Sequence, residues 1–214
     1  MSARSRWTVE HGTLWALETN HDLPPPCSAR VETVFEEITE AGIEGLTAAM
    51  NLSGPDMIYE RFQGNRRCFV LKIAGQIASY GWVTHGEESV GELERKFQLY
   101  DDEAYIWDCA TVPAHRGQRC YSTLLSQMIY QLHREKTPRI WIGASKENVP
   151  SVKGMANAGF QPVLDLSYRR FYRLTMLRFY NVSSTWPQLV NNAYRMLVND
   201  HERRIGHWAF GYRR

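Results

Sequence analysis

A short basic turn near the middle of the chain carries residue types that bind anions. It runs from Arg116 through Gly117 to Arg119 and follows residues 104–112, a stretch rich in aromatic and β-branched side chains that predicts a strand. Apolar residues then recur at helical spacing from Tyr121 onward. The free N–H groups of a helix's first turn point outward, and the helix dipole favours negative charge there. The pattern therefore predicts an anion site.

The expected donors of this site are the backbone N–H groups of residues 117–122, which include Cys120. Gln118 and Ser122 can donate further hydrogen bonds from their side chains. The guanidinium groups of Arg116 and Arg119 match the geometry of phosphate. Two interpretations of Arg119 stay open: its charge binds phosphate, or its Cβ blocks close approach of the ligand.

The first half of a family resemblance lies in this segment. Val112-Pro113-x-x-Arg116-Gly117 followed by a helix resembles motif A of the GNAT superfamily of acyl-CoA-dependent N-acyltransferases. In that family the turn cradles the pyrophosphate of coenzyme A.

The second half of the resemblance follows at the usual distance. Residues 140–142 have the composition of a strand, Asn148-x-x-Ser151 opens a helix, and Gly159-Phe160 closes it, as in the family. The similarity covers roughly residues 60–165. It implies that Asn148 touches the pantetheine arm or orders the loop, although Asn also caps helices well and both roles can coexist.

Three residues depart from the family pattern. Arg119 replaces the glycine of the turn, and Tyr121 replaces the small residue two positions later. Met155 occupies the position where many members carry a tyrosine that acts as general acid. The shape of the pyrophosphate loop and the identity of the proton donor therefore stay open.

The resemblance implies an α/β (α+β) fold with a mixed, largely antiparallel sheet that is splayed at its centre and flanked by helices. The pantetheine arm would lie between the strands at 104–112 and 139–144. Thr111 and Val112 match the positions where the arm pairs like an added strand. A backbone N–H of the first strand would stabilise the oxyanion.

Proton transfer has several candidate residues. Asp108 is an acid within an apolar strand, where it serves either as general base or as a structural partner of an Arg or Tyr. Tyr105, on the other face by alternation, aligns with a position where several family members carry a catalytic glutamate. Tyr121 is a candidate proton donor to the leaving sulfur or a packing residue of its helix. His115 can titrate near neutrality or lie exposed in the turn.

The expected function is N-acyl transfer, most simply N-acetyl transfer, from acetyl-CoA or another acyl-CoA to a primary amine by direct attack in a ternary complex. The acceptor would be a small molecule, an amino sugar or a protein. One alternative donor is acyl carrier protein, docked on the arginines of residues 169–178. A second alternative is a non-catalytic module that binds acyl-CoA.

Composition limits the remaining classes. The net charge of +2 gives no strong attraction to nucleic acid or membranes. The four cysteines lack metal-site spacing, so no metal is expected. With no signal-peptide pattern and no apolar run of membrane-spanning length, the expectation is a cytoplasmic protein, with a homodimer open.

The flanking elements are expected as follows. Four apolar residues at helical spacing predict a helix from about residue 31: Val31, Val34, Phe35 and Ile38. A second helix is expected at 43–50. The runs Arg67–Ile73 and 77–84, joined by a Gly-containing link, predict a hairpin. The acidic stretch 85–102 is either a solvated surface or an attractor of a cationic amine.

The chain divides at about residue 180. Residues 1–180 are expected to form the acyltransferase domain, with a last pair of strands at 160–179. These strands are expected to form a hairpin at the edge of the sheet, where charged side chains oppose pairing with another chain. Residues 181–214 are expected to form a helical extension on the same domain, with a helix at about 186–204.

Overall fold

The computed structural model describes residues 7–90, 95–100, 102–171, 173–198 and 202–212. These residues form a ten-stranded sheet, a separate two-stranded hairpin and five α-helices. The strands are β1 (Trp7–Glu18), β2 (Val34–Glu37), β3 (Arg67–Ile73), β4 (Gln76–Thr84), β5 (Glu87–Val90), β6 (Arg95–Gln98), β7 (Glu103–Thr111), β8 (Arg139–Ser145), β9 (Gln161–Phe171), β10 (Leu174–Tyr180), β11 (Arg203–Ile205) and β12 (Trp208–Tyr212). The helices are α1 (Ile43–Ala49), α2 (Asp56–Gln63), α3 (Cys120–Arg134), α4 (Val149–Asn157) and α5 (Pro187–Leu197).

The large sheet is mixed and splayed at its centre, as expected. Its order is β11-β12-β10-β9-β1-β8-β7-β4-β3-β2, and only β7 and β8 pair in parallel. Their ladder runs from Glu103 opposite Arg139 to Ile106 opposite Ile142. Both strands continue beyond this point, to Thr111 and Ser145, but they no longer pair with each other. A gap between the two strands therefore opens toward their C-terminal ends.

The N-terminal strand β1 lies inside the sheet, between β8 and β9. Its residues Gly12–Glu18 pair with β8, and Trp7–Ala16 pair with β9. The chain must then cross from the centre of the sheet to its edge at β2. Residues 19–33, which we call the strap, make this crossing.

Helices cover both faces of the sheet. Alternate residues of β3 show the division: Phe69 and Leu71 pack in a cluster with α3 and α4, whereas Cys68 and Val70 pack with α1 and α2. Leu14 of β1 likewise belongs to a cluster with α5. The helices α3 and α4 therefore lie on one face, and α1, α2 and α5 on the other. None of the described helices is long and apolar enough to cross a membrane.

Local patterns predict several elements correctly. The link between β3 and β4 is a two-residue turn in which Ala74 and Gly75 have φ of 49° and 81°, as in a type I′ hairpin. The helix at 43–50, the strands at 104–112 and 139–144, and the helices after the basic turn and after Asn148 are also confirmed.

The helix expected from residue 31 is wrong. Residues Val34–Glu37 form the edge strand β2, which pairs with β3. Val31 and Val34 are exposed, whereas Phe35 stacks on Phe69 with ring centroids 5.5 Å apart. Pairing with β3 therefore overrides the helical spacing, because the four apolar residues do not share one buried face.

The edge position expected for the hairpin at 160–179 is also wrong. The strands β9 and β10 are interior, because β1 flanks β9 and the chain's tail adds β12 and β11 beyond β10. The C-terminal helix ends at Leu197 rather than near residue 204, and the following residues supply these two strands.

The acidic stretch contains the small hairpin of β5 and β6. Glu88 is 3% exposed, accepts two hydrogen bonds from Arg66 at 2.8 and 3.0 Å, and accepts a third from Thr84 at 2.5 Å. For Glu88 the expectation of a solvated surface is therefore wrong.

Candidate functional site

One cavity of about 700 Å³ lies on the α3–α4 face of the sheet. It extends from the C-terminal end of β7, past the basic turn and the start of α3, to the exposed side of α4. Its lining residues are Cys109, Ala110, Thr111, His115, Arg116, Gly117, Arg119, Cys120, Tyr121, Ser122, Asn148, Pro150, Ser151, Lys153, Gly154 and Asn157. The two halves of the sequence motif therefore form opposite walls of one cavity.

The turn before α3 has two residues in the left-handed region. Gly117 has φ of +77°, and Arg119, the N-cap of α3, has φ of +64°. This conformation is free for glycine but costs a residue with a Cβ roughly 1–2 kcal/mol. Arg119 therefore adopts the backbone of the glycine that it replaces, at an energetic cost.

Both arginines of the turn are exposed, and neither forms an ion pair with any residue in the ranges described. They border the N-terminal turn of α3, a 15-residue helix whose first N–H groups have no partner within the helix. Backbone donors and two available cations thus meet at one end of the cavity, which suits a phosphate group.

The opposite wall is built by the start of α4. The Asn148 side chain accepts a hydrogen bond from the Ser151 N–H at 3.3 Å, so Asn148 caps the helix. The Tyr121 hydroxyl lies 2.7 Å from the Ser151 hydroxyl. A Cβ on Gly154 would lie 2.2 Å from the Tyr121 ring, so only glycine lets the ring pack there. Burial raises the pKa of Tyr121 well above its usual range, which keeps the phenol protonated.

The inner end of the cavity lies where β7 separates from β8. Cys109, Ala110 and Thr111 line it, and the Thr111 hydroxyl lies 3.2 Å from that of Ser79 on β4. Burial also raises the pKa of Cys109, so the residue stays a thiol. The β8-facing backbone of this stretch lies beyond the end of the parallel ladder and is available to a ligand.

Asp108 lies in an irregularity of β7, where the register with β4 shifts between Tyr80 and Trp82. Its φ is +42°, and its carboxylate accepts a hydrogen bond from Arg61 of α2 at 2.6 Å. The same guanidinium lies over the rings of Trp82 and Trp107, 4.7 and 4.5 Å from their centroids. Asp108 thus pairs with an arginine on the face opposite the cavity.

The alternation that placed Tyr105 and Asp108 on different faces is wrong. Trp107 and Asp108 both contact Arg61, so these consecutive residues point to the same side of the sheet. Tyr105 packs on that side too, with its ring 4.8 Å from that of Phe97 and with Trp107 beside the same cluster. The shift in register allows β7 to present two successive side chains to one face.

Two other predicted residues lie outside the cavity lining. The Val112 N–H donates to the Ala78 carbonyl of β4 at 2.9 Å. The Gln118 carbonyl accepts the Arg30 N–H at 3.0 Å, and its side-chain oxygen is buried without a partner in the described part of the chain.

The sequence analysis missed part of the α4 wall. Pro150, Gly154 and Asn157 line the cavity and share one helical face at spacings of four and three residues, and Lys153 borders it. That spacing could have identified them.

No sequence pattern indicates that Arg61 contacts β7, because α2 and β7 meet only through tertiary packing.

Comparisons with known proteins agree with this geometry. The family model described as Acetyltransferase (GNAT) family matches residues 32–160. No curated protein matches the chain.

Solved structures with the same fold are distant in sequence. A GCN5-related N-acetyltransferase from Sphaerobacter thermophilus superposes with a TM-score of 0.53 at 14% identity, over 76% of this chain and 51% of that chain. A GNAT-family protein from Novosphingobium aromaticivorans gives 0.50 at 13%, over 78% and 67%. A tandem GNAT protein from the clavulanic acid biosynthesis pathway gives 0.50 at 17%, over 76% and 53%.

The splayed sheet and the basic turn at the start of α3 define the class of fold, and the family match extends over more than half of the chain. The chain belongs to the Acetyltransferase (GNAT) family. It is an acetyltransferase, and the family takes its acyl group from an acyl-CoA.

Proposed function

We propose that this enzyme transfers an acetyl group from acetyl-CoA to a primary amine by direct attack in a ternary complex. The observation that supports this most is that one cavity joins the basic turn to the gap between β7 and β8. Its two ends offer what the two ends of the donor need: cations for phosphate, and strand backbone for the thioester arm.

The donor would lie with its pyrophosphate on the N–H groups of residues 117–122, between Arg116 and Arg119. Its pantetheine arm would follow Thr111 into the gap, where the β7 backbone has no strand partner on the β8 side. Tyr121 and Ser151 would flank the arm. A backbone N–H beyond Ile106 would donate to the carbonyl oxygen as it gains negative charge.

The amine would approach from the opposite face. Asp108 adjoins Cys109 in sequence, and Cys109 lines the inner end of the cavity. The Asp108 carboxylate lies across the sheet, beside Arg61 and Trp107. A donor on one face and an acceptor on the other can meet at the gap without a covalent enzyme intermediate, which is why we favour direct attack over acylation of Cys109, whose raised pKa opposes a thiolate.

A negative charge introduced into the basic turn tests the proposed position of the pyrophosphate. Acetyl-CoA at about 100 times its dissociation constant adds ~2.7 kcal/mol of stability. This corresponds to a rise of roughly 5–10 °C in the melting midpoint of a chain of this size. Gly117→Glu places a carboxylate at the turn, in open space. We expect this variant to lose both the shift and the release of free thiol with an amine panel.

The matched control is Gly117→Asn, which carries no charge and tolerates the left-handed conformation better than most residues. It should keep most of the shift. Equal binding by the Glu variant would contradict this placement. Transfer from an acetylated acyl carrier protein, with no shift by acetyl-CoA in the unmodified enzyme, would instead identify a carrier protein as donor.

A further inference from the structure

The strap between β1 and β2 runs along α3, from the C-terminal end of that helix to the basic turn. The Thr19 carbonyl lies 3.0 Å from His133 Nδ1, and the Pro24 carbonyl accepts from the Tyr130 hydroxyl at 3.1 Å. Successive strap residues thus meet successive turns of α3. The three consecutive prolines 24–26 favour an extended chain, which suits this path.

The last contacts of the strap reach both walls of the cavity. The Cys27 N–H donates to Ser126 Oγ at 3.0 Å, and the Cys27 thiol donates to the Asn157 carbonyl on α4 at 3.1 Å. Three residues later the Arg30 N–H donates to the Gln118 carbonyl in the basic turn at 3.0 Å. Residues 27–30 therefore bridge α4 and the turn. They lie beside the end of the cavity that is farther from β7, which we call the outer end.

A basic residue lies on each of the three segments that meet at this outer end. Arg30 is exposed, as are Arg119 of the turn and Lys153 of α4, both of which line the cavity. Burial raises the pKa of the Cys27 thiol, and the Arg119 guanidinium opposes that rise, which places the Arg119 charge near the strap. The N–H groups of the turn suit the pyrophosphate, so further cations at the outer end suit a separate phosphate group.

We propose that Arg30, a residue of the strap, binds the 3′-phosphate of the acyl-CoA together with Arg119 and Lys153. This inference rests on the proposed donor site and adds a specificity determinant to it. The pyrophosphate occupies the turn, the ribose phosphate extends toward the outer end, and the strap supplies the third wall there. The enzyme then distinguishes acetyl-CoA from acetyl-3′-dephospho-CoA.

Titration calorimetry with these two ligands tests the proposal. A charge-assisted hydrogen bond lost with the phosphate corresponds to a roughly tenfold weaker affinity or more. We expect that preference in the unmodified enzyme and its loss in Arg30→Glu, mainly through weaker binding of acetyl-CoA. Arg30→Lys should retain most of it. Because the hydrogen bond to Gln118 comes from the backbone of Arg30, these variants should keep the unmodified melting midpoint.

Arg203→Glu is the matched control, since this exposed arginine lies on β11 at the far edge of the sheet. It should leave both affinities unchanged. An unchanged preference in Arg30→Glu, or equal loss of affinity for both ligands, would overturn the role of Arg30. Equal binding of both ligands by the unmodified enzyme would overturn only this inference, whereas no binding of either would overturn the proposed donor site as well.

Discussion

The hydroxyl oxygen of Tyr121 lies 2.7 Å from that of Ser151, and this contact joins α3 to α4 across the wall of the cavity. The two residues come from the two separate halves of the sequence motif. Tyr121 reaches Ser151 because Gly154, on the same face of α4, leaves room for its ring. The phenol is therefore fixed at the place where the thioester arm would pass.

The Tyr121–Ser151 contact leads to a prediction about the leaving group. We expect Tyr121→Phe to lower kcat by about tenfold, which is below the usual range of general-acid effects, because a thiol of pKa ~8.5 is a fair leaving group unaided. KM for acetyl-CoA should change little. Steady-state kinetics measure both. Ser151→Ala removes the partner but leaves the phenol, so its kcat should stay near that of the unmodified enzyme; an equal fall would assign the effect to helix packing.

Because the backbone of Arg119 is left-handed, we expect its replacement by glycine to improve stability but to weaken acetyl-CoA binding. Arg119→Gly should raise the free energy of unfolding by roughly 1 kcal/mol or less, because the relief of backbone strain is partly offset by the greater freedom of glycine when unfolded. KM for acetyl-CoA should rise about tenfold through loss of a charge-assisted hydrogen bond. Urea unfolding and kinetics report the two effects. Arg119→Ala should match the rise in KM without the gain in stability; a lower KM in both would show that the side chain obstructs the site.

The pairing of Asp108 with Arg61 favours a structural role for the carboxylate. We expect Asp108→Asn and Arg61→Met each to reduce the free energy of unfolding. The coupling in a double-mutant cycle should be about 1 kcal/mol, since both side chains are partly exposed. The kcat of Asp108→Asn should fall less than tenfold. A fall of ~10² or more with an unchanged melting midpoint would assign proton transfer to Asp108 instead.

We predict that the folded protein loses stability at alkaline pH, where Tyr80 ionises. The residue is 8% exposed, and burial, followed by the nearby Asp108 charge, raises its pKa to about 12. The usual pKa of tyrosine is ~10, so the folded state holds the proton more tightly. The stabilising contribution is complete below pH ~10 and is lost as the pH rises toward 12, by about 2–3 kcal/mol at most.

The measurement is the free energy of unfolding of Tyr80→Phe and the unmodified protein at several pH values between 9 and 11.5. The unmodified protein should lose stability relative to Tyr80→Phe as the pH rises, because phenylalanine has no proton to lose. Parallel curves for Tyr80→Phe and the unmodified protein would contradict the prediction.

Local patterns identified the parts of the site that are contiguous in the chain. The basic turn, the apolar face of α3 and the Asn148 cap each depend on residues within one or two turns of one another, so spacing is sufficient to predict them. The direction of Asp108 was not predictable in this way, because a single shift in register with β4 reverses the alternation that sequence reasoning must assume.

The sequence by itself determined the hairpin of β3 and β4, the strand–turn–helix of β7 and α3 and the order of the two motif halves. Only the tertiary structure decided that β1 lies between β8 and β9, that residues 34–37 pair as a strand, and that the strap reaches the turn through Arg30. The physical reason is that side-chain periodicity and capping act over a few residues. The choice of a strand partner more than a hundred residues away depends on which surfaces remain to be buried once the local elements have formed.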